Sequence, residues 1–131
     1  MGDRARWPVS LKLTPEQAEA LARTRELSDL LDRISERLFP KLPPAGADPA
    51  ANRAHVEFSW NALSIAAVPK VVANKMALGR FRPYWLERPL FTSGALDYWR
   101  SLCAEREGAL IDEALDLDVK IRSLVGSGPT S

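Results

Sequence analysis

The first long apolar pattern in the chain has the spacing of an α-helix. From Leu27 onward its apolar residues recur at intervals of three, four and seven, which places them on one helix face. Thr14, Pro15 and Gln17 form a capping-box pattern at its start, and a proline ends it. We therefore predict a helix over 15–39. Its core face is predicted to consist of Ala20, Leu27, Leu30, Leu31, Ile34 and Leu38.

A second helix is predicted over 49–68. Asp48 followed by Pro49 again places a capping side chain before a proline at the first helical position. Residues 55–60, HVEFSW, alternate like a strand, but the helix-starting residues before them and the absence of a turn after them favour helix. The later half is apolar on nearly every side, which is typical of a helix covered by several neighbours. We expect this helix at the centre of the fold.

Pro69 interrupts the apolar pattern that follows. A proline in a helix removes one hydrogen bond and clashes with the preceding turn, so a kink or a break is expected there. A short helix over 70–78 would then continue to a stop at Gly79. Together these patterns predict an all-α bundle whose second helix is kinked or broken at Pro69.

The last helix is predicted as one rod over 93–125. Thr92 or Ser93 can cap it, and Gly108 is a weak point inside it. A seven-residue spacing predicts one buried seam formed by Leu96, Cys103, Leu110, Leu117 and Leu124. The bundle would therefore have three long helices.

The two ends of the chain lie outside this bundle in our interpretation, which assigns 14–125 to a single helical domain. Within residues 1–13, Trp7, Val9, Leu11 and Leu13 alternate strictly with other residues, which indicates an extended arm with one apolar side. Such an arm exposes apolar area, so we expect Trp7 to be buried against another chain. Residues 126–131 are predicted to be a flexible tail.

Composition excludes several functions. The 131 residues carry a formal net charge of +1, so any nucleic-acid or membrane surface would have to be local. One histidine and one cysteine are too few for the usual zinc sites or for an intramolecular disulfide, and we expect no metal and no cofactor. The start of the chain does not resemble a signal peptide, and no apolar run reaches the ~20 residues of a spanning helix. A cytoplasmic protein that does not bind membranes is expected.

Three local features could support chemistry. His55 lies one helical turn from Ser59, which permits a nucleophile and base, but no oxyanion donors or orienting carboxylate accompany them. Cys103 falls in the apolar seam, where burial would raise the pKa of its thiol and make it inert. Residues 97–118 contain seven acidic residues and two arginines, which gives a net charge of −5. Such a charge indicates a solvated face or a docking surface.

The segment 79–89, GRFRPYWLERP, is the most distinctive stretch. Its candidate contact residues are Arg80, Phe81, Arg82, Tyr84, Trp85 and Arg88. Arginine, tyrosine and tryptophan are enriched in protein hot spots, and arginine with aromatic rings can also hold phosphates and bases. Five basic residues oppose one acidic residue over 70–88, but the acidic helix that follows could neutralise them. The segment could equally be a corner whose rings pack under the helices.

These observations favour a non-catalytic subunit or adaptor. We expect the chain to bind a larger protein partner or to self-associate, and to do so through Trp7, the 79–89 segment and the acidic helix. An accessory subunit of an enzyme complex would be an example of this class of protein. One alternative is a nucleic-acid-binding module that uses residues 70–90. Another is an enzyme with a small-molecule pocket between helices, in which His55, Glu57 or an acidic pair would be the base.

Overall fold

The computed structural model describes residues 15–68 and 88–126, with side chains up to residue 124. These residues form four α-helices and no strand, so the predicted all-helical class is confirmed. The helices are α1 (Pro15–Leu38), α2 (Pro49–Ala66), α3 (Ser93–Leu102) and α4 (Glu105–Gly126), and a 3-10 turn, Phe39–Lys41, follows α1. The predicted arm, the cap at Thr14, the break at Pro69 and the helix over 70–78 lie outside the described residues.

Helix α1 has the predicted buried face. All six of the predicted core residues are buried, and Leu21 and Thr24 join them. The Thr24 hydroxyl is tolerated on this face because it donates to the Ala20 carbonyl oxygen at 2.7 Å. The apolar spacing of the sequence therefore located both the helix and its orientation.

Helix α2 begins as predicted. Asp48 has extended backbone angles, and its carboxylate accepts the N–H of Ala50 at 3.0 Å. The expectation that α2 is covered on most sides was wrong for the described residues, because its main contacts are with α1 and α3 and one side remains exposed. Its buried residues are Ala51, Ala54, Phe58, Asn61 and Ile65.

The predicted single helix over 93–125 was also wrong, because the chain breaks at Cys103 and Ala104. Cys103 has extended backbone angles of φ −79° and ψ 137°. Lys41 contacts both sides of the break, since its ammonium donates to the Leu102 carbonyl oxygen at 3.1 Å and pairs with the Glu107 carboxylate. Glu107 in turn accepts the Ala104 N–H at 2.9 Å and so caps the start of α4.

The break also changes which residues of the last helix face the core. The predicted seam, including Cys103, is only partly buried and packs at the margin of the core. The buried positions of α4 are instead Ile111, Ala114, Asp118 and Ile121. Because α4 is a separate helix after the break, the buried face of α3 does not determine which face of α4 is buried. That face is set by the packing of α4 on α1, which is its most extensive contact.

Trp99 of α3 joins the helices at the centre of the core. It is 0% exposed, and its ring stacks on Phe39 at a centroid distance of 6.0 Å. Its ring also meets Phe58 of α2 edge to face at 5.5 Å, and Phe39 contacts Phe58 at 5.3 Å. Three aromatic rings from three parts of the chain thus form one cluster that fixes α2 and α3 relative to the end of α1.

A substitution pair on α4 tests the observed core face. Ile111→Ala removes a fully buried side chain and is expected to lower the free energy of unfolding by about 2–5 kcal/mol. Val119→Ala, at a position that is 65% exposed on the same helix, is expected to change it by less than about 0.5 kcal/mol. Urea unfolding followed by circular dichroism measures both. Equal effects would contradict the orientation of α4.

Candidate functional site

A groove of about 750 Å³ lies between α2 and the segment that leads into α3. Its walls are mainly small or apolar side chains, and polar groups reach it from both sides. Arg53 and Glu57 come from α2, and Arg88 and Thr92 come from the opposite wall. The volume lies in the range of roughly 300–1,000 Å³ that is typical of ligand-binding clefts.

Two side chains of α2 hold the opposite wall of the groove in place. Asn61 donates through its amide nitrogen to the Leu90 carbonyl oxygen at 2.6 Å. Both carboxylate oxygens of Glu57 accept the N–H of Thr92 at 3.2 Å. Thr92 itself caps α3, because its hydroxyl accepts the N–H of Ala95 at 3.4 Å. Glu57 therefore supplies, from a neighbouring helix, the carboxylate that a capping box normally takes from its own third residue.

The amide oxygen of Asn61 is an exception to this pairing. It is buried and has no hydrogen-bond partner in the part of the chain that the structure describes. A buried acceptor without a partner costs about 1–3 kcal/mol. The amide nitrogen of Asn61, by contrast, has a partner in the Leu90 carbonyl oxygen.

One side of α2 carries an exposed apolar stripe. Val56, Trp60 and Leu63 are 47%, 62% and 64% exposed. Their spacing of four and three residues places them on one helix face, which we call the α2 apolar face. Val56 and Trp60 also line the groove, so the face and the groove are continuous. In the described ranges only one other large apolar side chain, Val119, is exposed.

Most of the contact residues predicted from sequence lie outside the described residues. They are Trp7, Arg80, Phe81, Arg82, Tyr84 and Trp85, and their role stays a prediction. Arg88 is described, is exposed and lines the groove, and its carbonyl oxygen accepts from the Arg122 guanidinium at 2.6 Å. Sequence reasoning missed the α2 apolar face, although a signal was present: α2 has more apolar residues than one buried face can hold.

The candidate chemical groups have structural partners. The His55 ring meets the Phe39 ring edge to face at a centroid distance of 4.5 Å, and no hydrogen bond joins His55 to Ser59 within 15–68. The half-buried Cys103 thiol donates to the Trp99 carbonyl oxygen at 3.2 Å. Burial, and then the nearby Glu107 carboxylate, raises the pKa of this thiol, as the sequence predicted. Within the described ranges, no three acidic, histidine or cysteine side chains are grouped as metal ligands would be.

The acidic residues of the last two helices are partly neutralised by neighbours. Arg100 pairs with Asp112 at 2.8 Å, and Arg122 pairs with Asp118 at 2.9 Å. Asp118 is buried on the core side of α4, which differs from the expected solvated face. Burial raises the pKa of its carboxyl, although the hydrogen bond from Arg122 acts in the opposite direction. The acidic helix is therefore a weaker candidate for docking a basic partner than its composition indicated.

Comparisons of the chain with protein-family models, with curated proteins and with solved structures find no match. None of the helices in the described ranges combines the length and the apolar character that crossing a bilayer requires.

The contact between Glu57 and Thr92 gives a test of how the groove is held. Glu57→Ala removes the acceptor, so we expect the amide hydrogen of Thr92 to exchange faster and the free energy of unfolding to fall by about 1 kcal/mol. Hydrogen exchange followed by NMR and urea unfolding measure the two effects. Glu36→Ala, at an exposed position of α1, is the control and should change neither. Unchanged Thr92 exchange in Glu57→Ala would show that Glu57 does not cap α3.

The contact between Lys41 and Glu107 predicts a pH dependence. The hydrogen bond from Lys41, and then that from the Ala104 amide, holds the pKa of the Glu107 carboxyl below its ordinary value of 4.5. The ionised carboxylate therefore stabilises the fold above the unfolded-state pKa, and this contribution is lost as the pH falls through the lower folded-state pKa. We expect Glu107→Gln to destabilise the chain near neutral pH and to have a smaller effect in acid.

Urea unfolding at neutral pH and at about pH 3 measures that difference. Glu113→Gln, at an exposed position of the same helix, is the matched control, and its effect should not depend on pH in this way. A Glu107→Gln effect of the same size at both pH values would contradict the assignment.

Proposed function

We propose that the chain is a non-catalytic helical protein that acts by binding another protein. The α2 apolar face and the mouth of the adjoining groove are its contact surface. The observation that carries the proposal is the grouping of Val56, Trp60 and Leu63 on one exposed helix face. Scattered exposed apolar side chains are normal, but a contiguous patch next to a groove is typical of interaction sites.

The residue types at this surface support protein binding. Tryptophan is enriched among residues that dominate binding energy, and full burial of a large apolar side chain contributes about 1.5–3 kcal/mol. The charged residues Arg53, Glu57 and Arg88 lie around the groove beside the apolar stripe. An apolar centre with a polar rim is the usual anatomy of a protein interface.

The polar groups of the groove favour binding over catalysis. Glu57 and Asn61, two of the polar residues that α2 contributes to the groove, are hydrogen-bonded to the backbone of the opposite wall. A general base must be within hydrogen-bond reach of the proton that it removes, and here the carboxylate of Glu57 is engaged with the Thr92 amide. These contacts favour a structural role for both residues, which is to hold the groove open.

The proposal also connects with the segment predicted from sequence. Residues 79–89 end at Arg88 and Pro89, and both of these residues line the groove. The described end of that segment and the α2 apolar face therefore belong to one continuous surface. A contact role for the residues that precede Arg88 stays a prediction from sequence; they are Arg80, Phe81, Arg82, Tyr84 and Trp85, together with Trp7.

Affinity capture from the cells of origin tests this function. Bait protein with Trp60→Ala is expected to bind its protein partner at least about tenfold more weakly than the unaltered chain, because it loses the central apolar anchor. Val119→Ala is the matched control, since it removes an equally exposed apolar side chain from a different helix. Mass spectrometry of the retained proteins measures the effect for all three baits.

The same experiment separates the nucleic-acid alternative. A protein contact made by the α2 apolar face should persist at high salt, whereas binding to phosphates falls steeply as salt rises. Retained proteins that are identical for the Trp60→Ala and unaltered baits would overturn the proposed surface. Retention of nucleic acid that is lost at high salt would favour the alternative.

A further inference from the structure

We infer that Arg122, oriented by Asp118, is a positioning residue for the groove, whose wall it supports from α4 without lining the groove itself. The inference rests on the proposed function, because it names a residue that shapes the same binding surface. Three features of the described residues support it: the place of Asp118 in the core stripe of α4, the two contacts of Arg122, and the exposure of the wall residues that Arg122 reaches.

Asp118 is a charged residue in an otherwise apolar stripe. The other buried positions of α4 are Ile111, Ala114 and Ile121, and together with Asp118 they recur at intervals of three and four residues. Burying a carboxylate costs free energy unless it is paired and hydrogen-bonded, whereas an apolar side chain would fill the same position without that cost. Core packing therefore does not account for a carboxylate here, and its contact with Arg122 does.

Arg122 connects α4 to the groove wall. It lies one helical turn after Asp118, and its Nε–H donates to the two carboxylate oxygens of Asp118 at 2.9 and 3.0 Å. Its Nη2 donates to the Arg88 carbonyl oxygen at 2.6 Å. The N–H groups of a guanidinium have fixed directions in one plane, so the bond on the Nε side sets where the Nη2 side points. Asp118 thus orients Arg122 toward Arg88.

The contact from Arg122 reaches the part of the wall that burial does not hold. The side-chain contacts from α2 reach the wall at Leu90 and Thr92, and Leu90 is only 2% exposed. Arg88 and Pro89 are exposed, and both line the groove. Because core packing does not fix this end of the wall, we expect the bond from Arg122 to determine where it lies. Side chains from α2 and α4 then hold the wall at three alternate residues.

This arrangement makes the shape of the groove depend on a helix that does not line it. Without the Asp118 carboxylate, Arg122 has no fixed direction, and the wall at Arg88 and Pro89 loses one of its supports. The α2 apolar face belongs to the other side of the groove and keeps its structure. The proposed binding surface would therefore retain its apolar stripe and lose the fixed position of the wall beside it.

A double variant separates positioning from stability. Asp118→Leu with Arg122→Met replaces the ion pair by apolar side chains of similar size, a change that is often neutral or stabilising, so the free energy of unfolding in urea should not fall. The backbone order parameter of Arg88, from NMR relaxation, is expected to fall from the roughly 0.85 of rigid backbone toward the value of about 0.6 that marks flexible backbone.

Two single variants complete this test. Asp118→Asn keeps the shape of the side chain and one oxygen that can accept from Arg122, so the order parameter of Arg88 should stay near that of the unaltered chain. Asp116→Leu, at an exposed position of the same helix, is the matched control and should leave Arg88 unchanged.

Three results would overturn the inference. The first is an Arg88 order parameter that the double variant leaves unchanged or that Asp116→Leu lowers equally. The second is a loss of order along all the helices together with a lower free energy of unfolding, because the pair would then act on stability and not on position. The third is an Asp118→Asn value as low as that of the double variant, because Asp118 would then not act by orienting Arg122.

Affinity capture distinguishes this inference from the proposed function. The double-variant bait is expected to retain the partner protein about two- to tenfold more weakly, the effect of one lost hydrogen bond. Unchanged retention despite a mobile Arg88 would overturn the assignment of Arg122 to the binding surface. If Arg88 loses order in the double variant while the Trp60→Ala bait retains the same proteins as the unaltered bait, Arg122 positions the wall and the proposed function fails. If Trp60→Ala loses its partner while Arg88 keeps its order, the proposed function stands and the inference fails.

Discussion

The packing of Trp99 against Phe39 and Phe58 is the contact on which the rest of the described structure depends. These rings come from α3, from the turn after α1 and from α2, so one cluster fixes three parts of the chain that are distant in sequence. Aromatic side chains bury large areas and prefer edge-to-face or offset geometry, which makes such a cluster both stabilising and specific. Once α3 is fixed against α2, its first residues form the opposite wall of the groove, and Glu57 and Asn61 can reach them.

A second constraint comes from Lys41, which binds both sides of the break between α3 and α4. Its ammonium satisfies the Leu102 carbonyl at the end of one helix and pairs with the carboxylate that caps the next. A helix end leaves several carbonyl oxygens without partners, so a cation at this position is favourable. The break allows α4 to turn back along α1, and this contact is the most extensive in the described structure. The pH dependence expected for Glu107 follows from the same interaction.

The proposed binding surface is a consequence of this packing. Helix α2 is in contact with α1 on one side and α3 on another, and the third side has no described neighbour. Its sequence nevertheless places Val56, Trp60 and Leu63 there. A helix that is apolar on more faces than the described residues cover has apolar area to bury against another group. The groove and the apolar face are thus two results of one arrangement, in which the polar residues of α2 hold α3 and the apolar ones remain available.

The sequence by itself determined the helical class, the bounds and buried face of α1, and the cap at Asp48, because these depend on spacing and on neighbours only a few residues away. It did not determine the break at Cys103, because Lys41, which contacts Leu102 and Glu107 on the two sides of the break, is about sixty positions distant, and the local cap of Ala104 by Glu107 was not recognised. It also did not show that Val56, Trp60 and Leu63 of α2 would be exposed among the described residues, because periodicity shows that a face is apolar but not whether a neighbour covers it. The exposure of Trp60 and the capping of α3 by Glu57 were decided only by tertiary structure, where the arrangement of whole helices selects which apolar and polar groups meet.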